Sequence, residues 1–170
     1  MLNMNLFLFD CCVYPIIPRQ AEVYDVCLNS CSEFDYCCFQ ECSARESGTY
    51  VNNVINVNKT KEIFAMQKDF KTFLNLTDEW KNVIDFSVDK CSVMKSSDAQ
   101  KPCEFIYEYM ACIFKENFVN CPQMKDKNEC REVKSEMEEC SKSKGSWRFI
   151  TDAFNTVKPS FARKMAESNS

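Results

Sequence analysis

CCFQEC, residues 37–42, decides how the rest of the chain is read. Two cysteines stand side by side and a third follows four residues after the second. Four residues advance a helix by little more than one turn, so Cys38 and Cys42 share a face if this stretch is helical. Zinc knuckles and thioredoxin-like redox sites both use C-x2-C pairs, and the chain contains none. The stretch therefore reads as a set of disulfide anchor points on one helix.

The same pattern recurs on either side. Cys27 and Cys31 are also four apart, in a segment from Glu22 to Cys31 that can be helical. Cys103, Cys112, Cys121 and Cys130 recur every nine residues. Nine residues turn a helix by about 900°, half a turn beyond two full ones. Cysteines at that spacing face opposite sides, so Cys103 and Cys112 can tether one helix to two different neighbours. C-x3-C pairs do the reverse and point two thiols at one flank. Thirteen cysteines allow at most six bridges, and spacing alone does not give their connectivity.

Composition narrows the class. The 170 residues amount to about one domain, long enough to bury roughly 70% of the unfolded chain's surface. Only two glycines argue against a β-sandwich or a Gly-rich nucleotide loop, and 14 phenylalanines supply apolar bulk. Net charge is −4 with no basic patch, which argues against nucleic acid as a partner. Histidine is absent, which removes Ser-His and Cys-His nucleophile pairs and His-metal sites. We therefore expect no enzyme activity, no cofactor and no metal site. The cysteine count points to an oxidising, extracellular compartment. Two N-glycosylation sequons, at Asn58 and Asn75, agree with it. Residues 1–9 read as a weak or truncated signal peptide.

Every strong periodicity is helical. Gly48 follows the CCFQEC helix as a stop. Residues 49–60 look extended or looped, with Asn58 or Thr60 as cap of a helix whose stripe is Ile63, Met66, Phe70, Phe73 and Leu74. Thr77 with Asp78 and Glu79 opens a helix bearing Trp80, Val83, Ile84, Val88 and Cys91. Pro102 suits the first turn of the next, which carries Phe105, Ile106, Tyr109, Met110 and Ile113. Cys130, Val133, Met137 and Cys140 mark another, and Trp147, Ile150, Phe154 and Val157 a last one. Residues 161–170 read as a frayed tail.

The order of these features resembles the insect odorant-binding proteins, and the extra cysteines with Pro122 directly after Cys121 resemble their Plus-C subclass. The likeness runs over about residues 10–141, through Cys11-Cys12, Pro15, Cys27, CCFQEC, Trp80, Cys91, Cys103-Glu104, Cys112 and Cys121-Pro122. Cys103/Cys112 and Cys112/Cys121 both show the family's eight-residue separation; Pro122 favours the second register. On that register the resemblance implies links from Cys38 to Cys112 and from Cys91 to Cys121, with the partner of Cys42 upstream near Cys12 or Cys27. The disulfide set then comprises Cys12, Cys27, Cys38, Cys42, Cys91, Cys103, Cys112, Cys121, Cys130 and Cys140.

The resemblance also implies an all-α, compact, disulfide-linked arrangement of six or more helices around an apolar cavity, as a single domain over residues 10–160. It implies a secreted carrier of small hydrophobic molecules in extracellular fluid, monomeric or homodimeric, with a membrane chemoreceptor as a further partner. The alternative is a disulfide-stapled extracellular interaction module without a ligand cavity. For a carrier, the candidate lining is Phe70, Phe73, Leu74, Val83, Ile84, Val88, Phe105, Ile106, Tyr109, Met110, Ile113 and Phe114. Tyr109 is the candidate polar handle, because a buried hydroxyl seeks a partner. A ligand burying roughly 200–300 Å² gains about 5–8 kcal/mol before entropy costs, which corresponds to micromolar affinity.

Overall fold

A computed structural model describes residues 11–12, 21–31, 35–66, 76–94 and 102–140. Among them the chain is mostly helical: α1 (Ala21–Ser30), α2 (Tyr36–Glu46), α3 (Val57–Ala65), α4 (Asp78–Ser92), α5 (Pro102–Val119) and α6 (Asn128–Cys140). A short antiparallel hairpin, β1 (Tyr50–Val51) and β2 (Val54–Ile55), lies between α2 and α3. No described helix is long and apolar enough to cross a membrane.

The helix ends follow local chemistry. Asp35 caps α2, its carboxylate accepting from Cys38 N at 2.9 Å. Thr77 caps α4 by accepting from Trp80 N, with Asp78 and Glu79 in the first turn where the helix dipole favours negative charge. Pro102 opens α5. Gly48 leaves α2 with φ +74°, a conformation that a Cβ disfavours.

Residues 49–60 read as extended or looped, and their extended part is the β1–β2 hairpin: Asn52 and Asn53, both at positive φ, form the tight turn that pairs Val51 with Val54. Strands two residues long show no alternation in sequence. The cap of α3 is corrected: it is neither Asn58 nor Thr60. Asn56 holds the extended position, its side chain accepting from Lys59 N at 3.1 Å, and Thr60 Oγ1 donates back to the Asn56 carbonyl at 2.9 Å.

The described residues fall into two compact units, those between 14 and 122 and those within 1–13 and 123–170. In the first, α5 packs against both α2 and α4, α3 against α4, and α1 against α2. Ala44, Tyr50, Phe105 and Ile106 form a core cluster joined by Ile55 and Met94. Trp80, Ile84, Val88 and Ile113 are buried on α4 and α5. In the second unit, Cys11 is bonded to Cys130 of α6, and Lys125 N donates to the Cys11 carbonyl.

All twelve cysteines whose side chains are described are in disulfides. Cys140 ends α6, and its side chain lies outside the described residues, as do residues 1–9, Trp147 and Phe154. The two C-x3-C pairs clasp each other: Cys27 joins Cys42 and Cys31 joins Cys38, so α1 and α2 form a doubly stapled antiparallel pair. On α5, Cys103 reaches Cys37 of α2 while Cys112 reaches Cys91 of α4. The nine-residue spacing thus ties one helix to two neighbours, as its half-turn requires. Cys12 and Cys121 are also disulfide-bonded. The links from Cys38 to Cys112 and from Cys91 to Cys121 are not formed. Cys112 is bonded to Cys91 instead, and Cys38 is taken up by the nearby Cys31, seven residues upstream. Cys11, Cys31 and Cys37 join the disulfide set.

Two charged side chains, Lys115 and Glu116, are buried among the described residues. Glu116 of α5, only 3% exposed, accepts from Lys115 Nζ and from Lys90 Nζ of α4, both at 2.9 Å. Burial alone would raise its carboxyl; the hydrogen bonds and charges of the two lysines outweigh that and hold it below the ordinary range.

Candidate functional site

A part-open cleft of about 260 Å³, mostly apolar in lining, lies within residues 14–122. Val23 and Tyr24 of α1 form one side, with Phe39, Gln40, Ser43 and Ala44 of α2. Ser47, Thr49 and Ile55 continue the wall, and Thr60, Ile63 and Phe64 of α3 face them. Ile106, Tyr109 and Met110 of α5 complete it. On α3 and α5 the contributors sit at i, i+3 and i+4, one face of a helix in each case. Tyr24 meets Phe39 edge to face, ring centroids 5.3 Å apart, which fixes the α1–α2 corner.

The helical advance of about 100° per residue explains how α2 serves three neighbours at once. Cys38 and Cys42 fall on the flank turned to α1, where they are bonded to Cys31 and Cys27. Cys37 and Ala44 fall on the opposite flank, turned to α5 and bonded there through Cys103. Phe39, Gln40, Ser43 and Ser47 occupy the arc between these flanks, and that arc is the cleft wall. Disulfides therefore hold α2 on both sides of the surface it presents.

The hydroxyls of the wall differ in their state. Ser47 and Thr49 lie 3.1 Å apart and both donate to the Ala44 carbonyl. Thr60 spends its proton on Asn56 O. Tyr109 is 2% exposed and its hydroxyl has no hydrogen-bond partner within bonding distance; Thr60 approaches it without closing a full bond. Burial pushes the Tyr109 phenol above its ordinary range, with the nearby Thr60 opposing and Asp89 adding to the rise. It stays a neutral donor at physiological pH.

Of the candidate lining residues, the cleft brings together Ile106, Tyr109 and Met110. Ile84, Val88 and Ile113 are buried on α4 and α5, Phe105 is buried with Ala44 and Tyr50, and Val83 and Phe114 are half-buried; none of these lines the cleft. They turn towards neighbouring helices because α5 is apolar over most of its circumference, and a stripe that broad serves several contacts. Phe70, Phe73, Leu74 and the sequon residue Asn75 lie outside the described residues. Most of the wall comes from α1–α3. The signal available for it was the Phe39–Ser43–Ser47 spacing inside the CCFQEC helix itself, polar enough to pass for a solvated face.

No protein-family profile, curated protein or solved structure matches this chain.

Proposed function

We propose that the protein is a secreted carrier whose cleft takes up one small hydrophobic molecule, as the resemblance to Plus-C odorant-binding proteins implies. The observation that carries the reading is the cleft between α1, α2, α3 and α5, apolar in lining and straddled by disulfides on both flanks of α2. Such a site needs no reacting group. It needs an apolar surface that side chains do not fill, walls that do not close over it, and a polar atom to orient a guest. The unpartnered Tyr109 hydroxyl supplies that atom. The disulfides favour an oxidising compartment. The Cys37–Cys103 and Cys91–Cys112 bonds cross in chain order, as the links implied by the resemblance do, but with Cys37 in place of Cys38 and Cys103/Cys112 in place of Cys112/Cys121.

Size limits the guest. An apolar cavity of about 150 Å³ accommodates benzene, so about 260 Å³ suits a molecule of roughly ten non-hydrogen atoms. At about 25 cal/mol per Å² the gain corresponds to affinities around the micromolar range.

A fluorescent apolar probe tests this directly. Oxidised protein should give saturable emission that small alcohols or aldehydes displace. Ser43→Phe, which inserts a ring from the cleft wall without emptying the core, should lower probe affinity at least tenfold while leaving the helical circular dichroism intact. Emission that neither saturates nor responds to Ser43→Phe rules the carrier out and leaves the interaction module.

A further inference from the structure

The sequon Asn58-Lys59-Thr60 sits in the first turn of α3, and its two recognition residues meet opposite fates. Asn58 is exposed. Thr60 is 1% exposed, lines the cleft, and donates its hydroxyl proton to the Asn56 carbonyl. Two helical residues are about 200° apart, so the Asn58 amide and the Thr60 hydroxyl point to opposite sides of α3. In an extended chain, residues i and i+2 lie on the same side. A transferase that reads the motif needs the asparagine and the hydroxyl together, which is why the motif requires both.

We propose that Asn58 is an N-glycan acceptor that is used before α3 forms, and that the folded protein is no substrate for the transfer. The proposal rests on the secreted reading above. In the step itself, Nδ2 of Asn58 forms a bond to the anomeric carbon of an oligosaccharide carried on a lipid diphosphate. The carbon–oxygen bond to the diphosphate breaks, the lipid diphosphate leaves with the electron pair, and the amide gives up one proton. Folding then buries Thr60 and leaves the glycan on the exposed side of α3, away from the face that carries Thr60, Ile63 and Phe64. The modification accordingly leaves access to the cleft unchanged.

The test uses the full chain secreted from eukaryotic cells behind a signal sequence. Asn75→Gln isolates the Asn58 sequon. Glycosidase treatment of the secreted Asn75→Gln protein should shift its mass and leave a deamidation mark at Asn58. The Asn58→Gln/Asn75→Gln double variant should show neither. Purified bacterial protein, offered to an oligosaccharyl transferase with lipid-linked oligosaccharide, should accept a glycan when reduced and alkylated and not when oxidised and folded. Secreted Asn75→Gln protein without a glycan at Asn58 overturns the proposal, and so does folded protein accepting it as fast as unfolded. Glycosylated and enzymatically deglycosylated samples should bind the apolar probe equally; binding lost only in the glycosylated form overturns the outward placement. Absence of a saturable probe signal in both forms refutes the carrier reading alone, because the mass shift is read independently of it.

Discussion

Tyr109→Phe should raise stability and lower the affinity for hydroxyl-bearing guests, two effects of opposite sign from one oxygen atom. The hydroxyl is buried and without a partner. A buried donor in that state costs about 1–3 kcal/mol. Deleting the oxygen removes this cost, offset by a small void, so the empty protein should gain about 1 kcal/mol. With a urea m-value of about 2 kcal/mol/M, the midpoint rises by about 0.5 M. Binding reverses the sign. A guest that bonds the hydroxyl satisfies it and gains about 0.5–1.5 kcal/mol, so its affinity should fall roughly 2- to 12-fold in the phenylalanine variant. A hydrocarbon guest of the same shape lacks that bond and should bind no worse. Urea denaturation followed by circular dichroism, with probe displacement by a matched alcohol and hydrocarbon, measures both. A variant destabilised by more than about 1 kcal/mol would mean the hydroxyl is well bonded inside the protein. Equal losses for alcohol and hydrocarbon would mean it is not the polar handle.

Glu116→Gln should destabilise by about 3 kcal/mol at neutral pH, because it leaves Lys115 buried beside a neutral group; equilibrium denaturation checks this. The folded Glu116 carboxyl lies below its ordinary value of 4.5, so the pair's stabilisation is complete above that pH and is lost as pH falls through the lower folded value. The glutamine variant should show a shallower acid limb in the same titration. Gly48→Ala should cost about 1 kcal/mol from backbone strain at φ +74°, since the nearest foreign atom, Lys59 Cγ at 3.6 Å, leaves room for the methyl. Removing Cys37–Cys103 by paired serine substitutions should lower stability by up to about 4 kcal/mol and weaken probe binding as well. Removing Cys91–Cys112, which joins helices away from the α2 wall, should cost about 3 kcal/mol with probe affinity retained in the folded fraction.

The helices were legible because each carries its own periodicity and punctuation: Thr77 before two acids, Pro102 at a first turn, Gly48 after Glu46. Spacing also told which cysteines share a flank and which oppose each other, since this depends only on helix geometry. It could not tell which helix stood opposite. Cys38 has two neighbours in reach of any family analogy, and the choice fell to Cys31 because a short connection brings α1 and α2 side by side. The cleft was misplaced for a related reason. Broad apolar stripes such as Phe105, Ile113, Ile84 and Val88 mark where helices pack most tightly. The α2 wall of the cleft sets Gln40, Ser43 and Ser47 beside Phe39, and so resembles solvated helix. Tyr109 does reach the cleft wall, and its burial there was legible from the apolar face of its helix.

That contrast explains the position of the disulfides around α2. Apolar contact holds helices together only where they touch, and a cleft is by definition a place where they do not. The wall between two helices would otherwise be free to move inward, since collapse removes apolar surface from water. Closure is opposed when the wall helix is fixed at both edges. Cys38 and Cys42 fix α2 to α1, and Cys37 fixes it to α5. Phe39, Gln40, Ser43 and Ser47 span the arc between those attachments. The adjacent cysteines of CCFQEC follow from this geometry: consecutive residues are about 100° apart on a helix, so a neighbouring pair can bond in two different directions. A C-x3-C pair alone would staple one edge and leave the other to packing. The second cysteine of the pair secures the wall towards α1, and the first secures it towards α5.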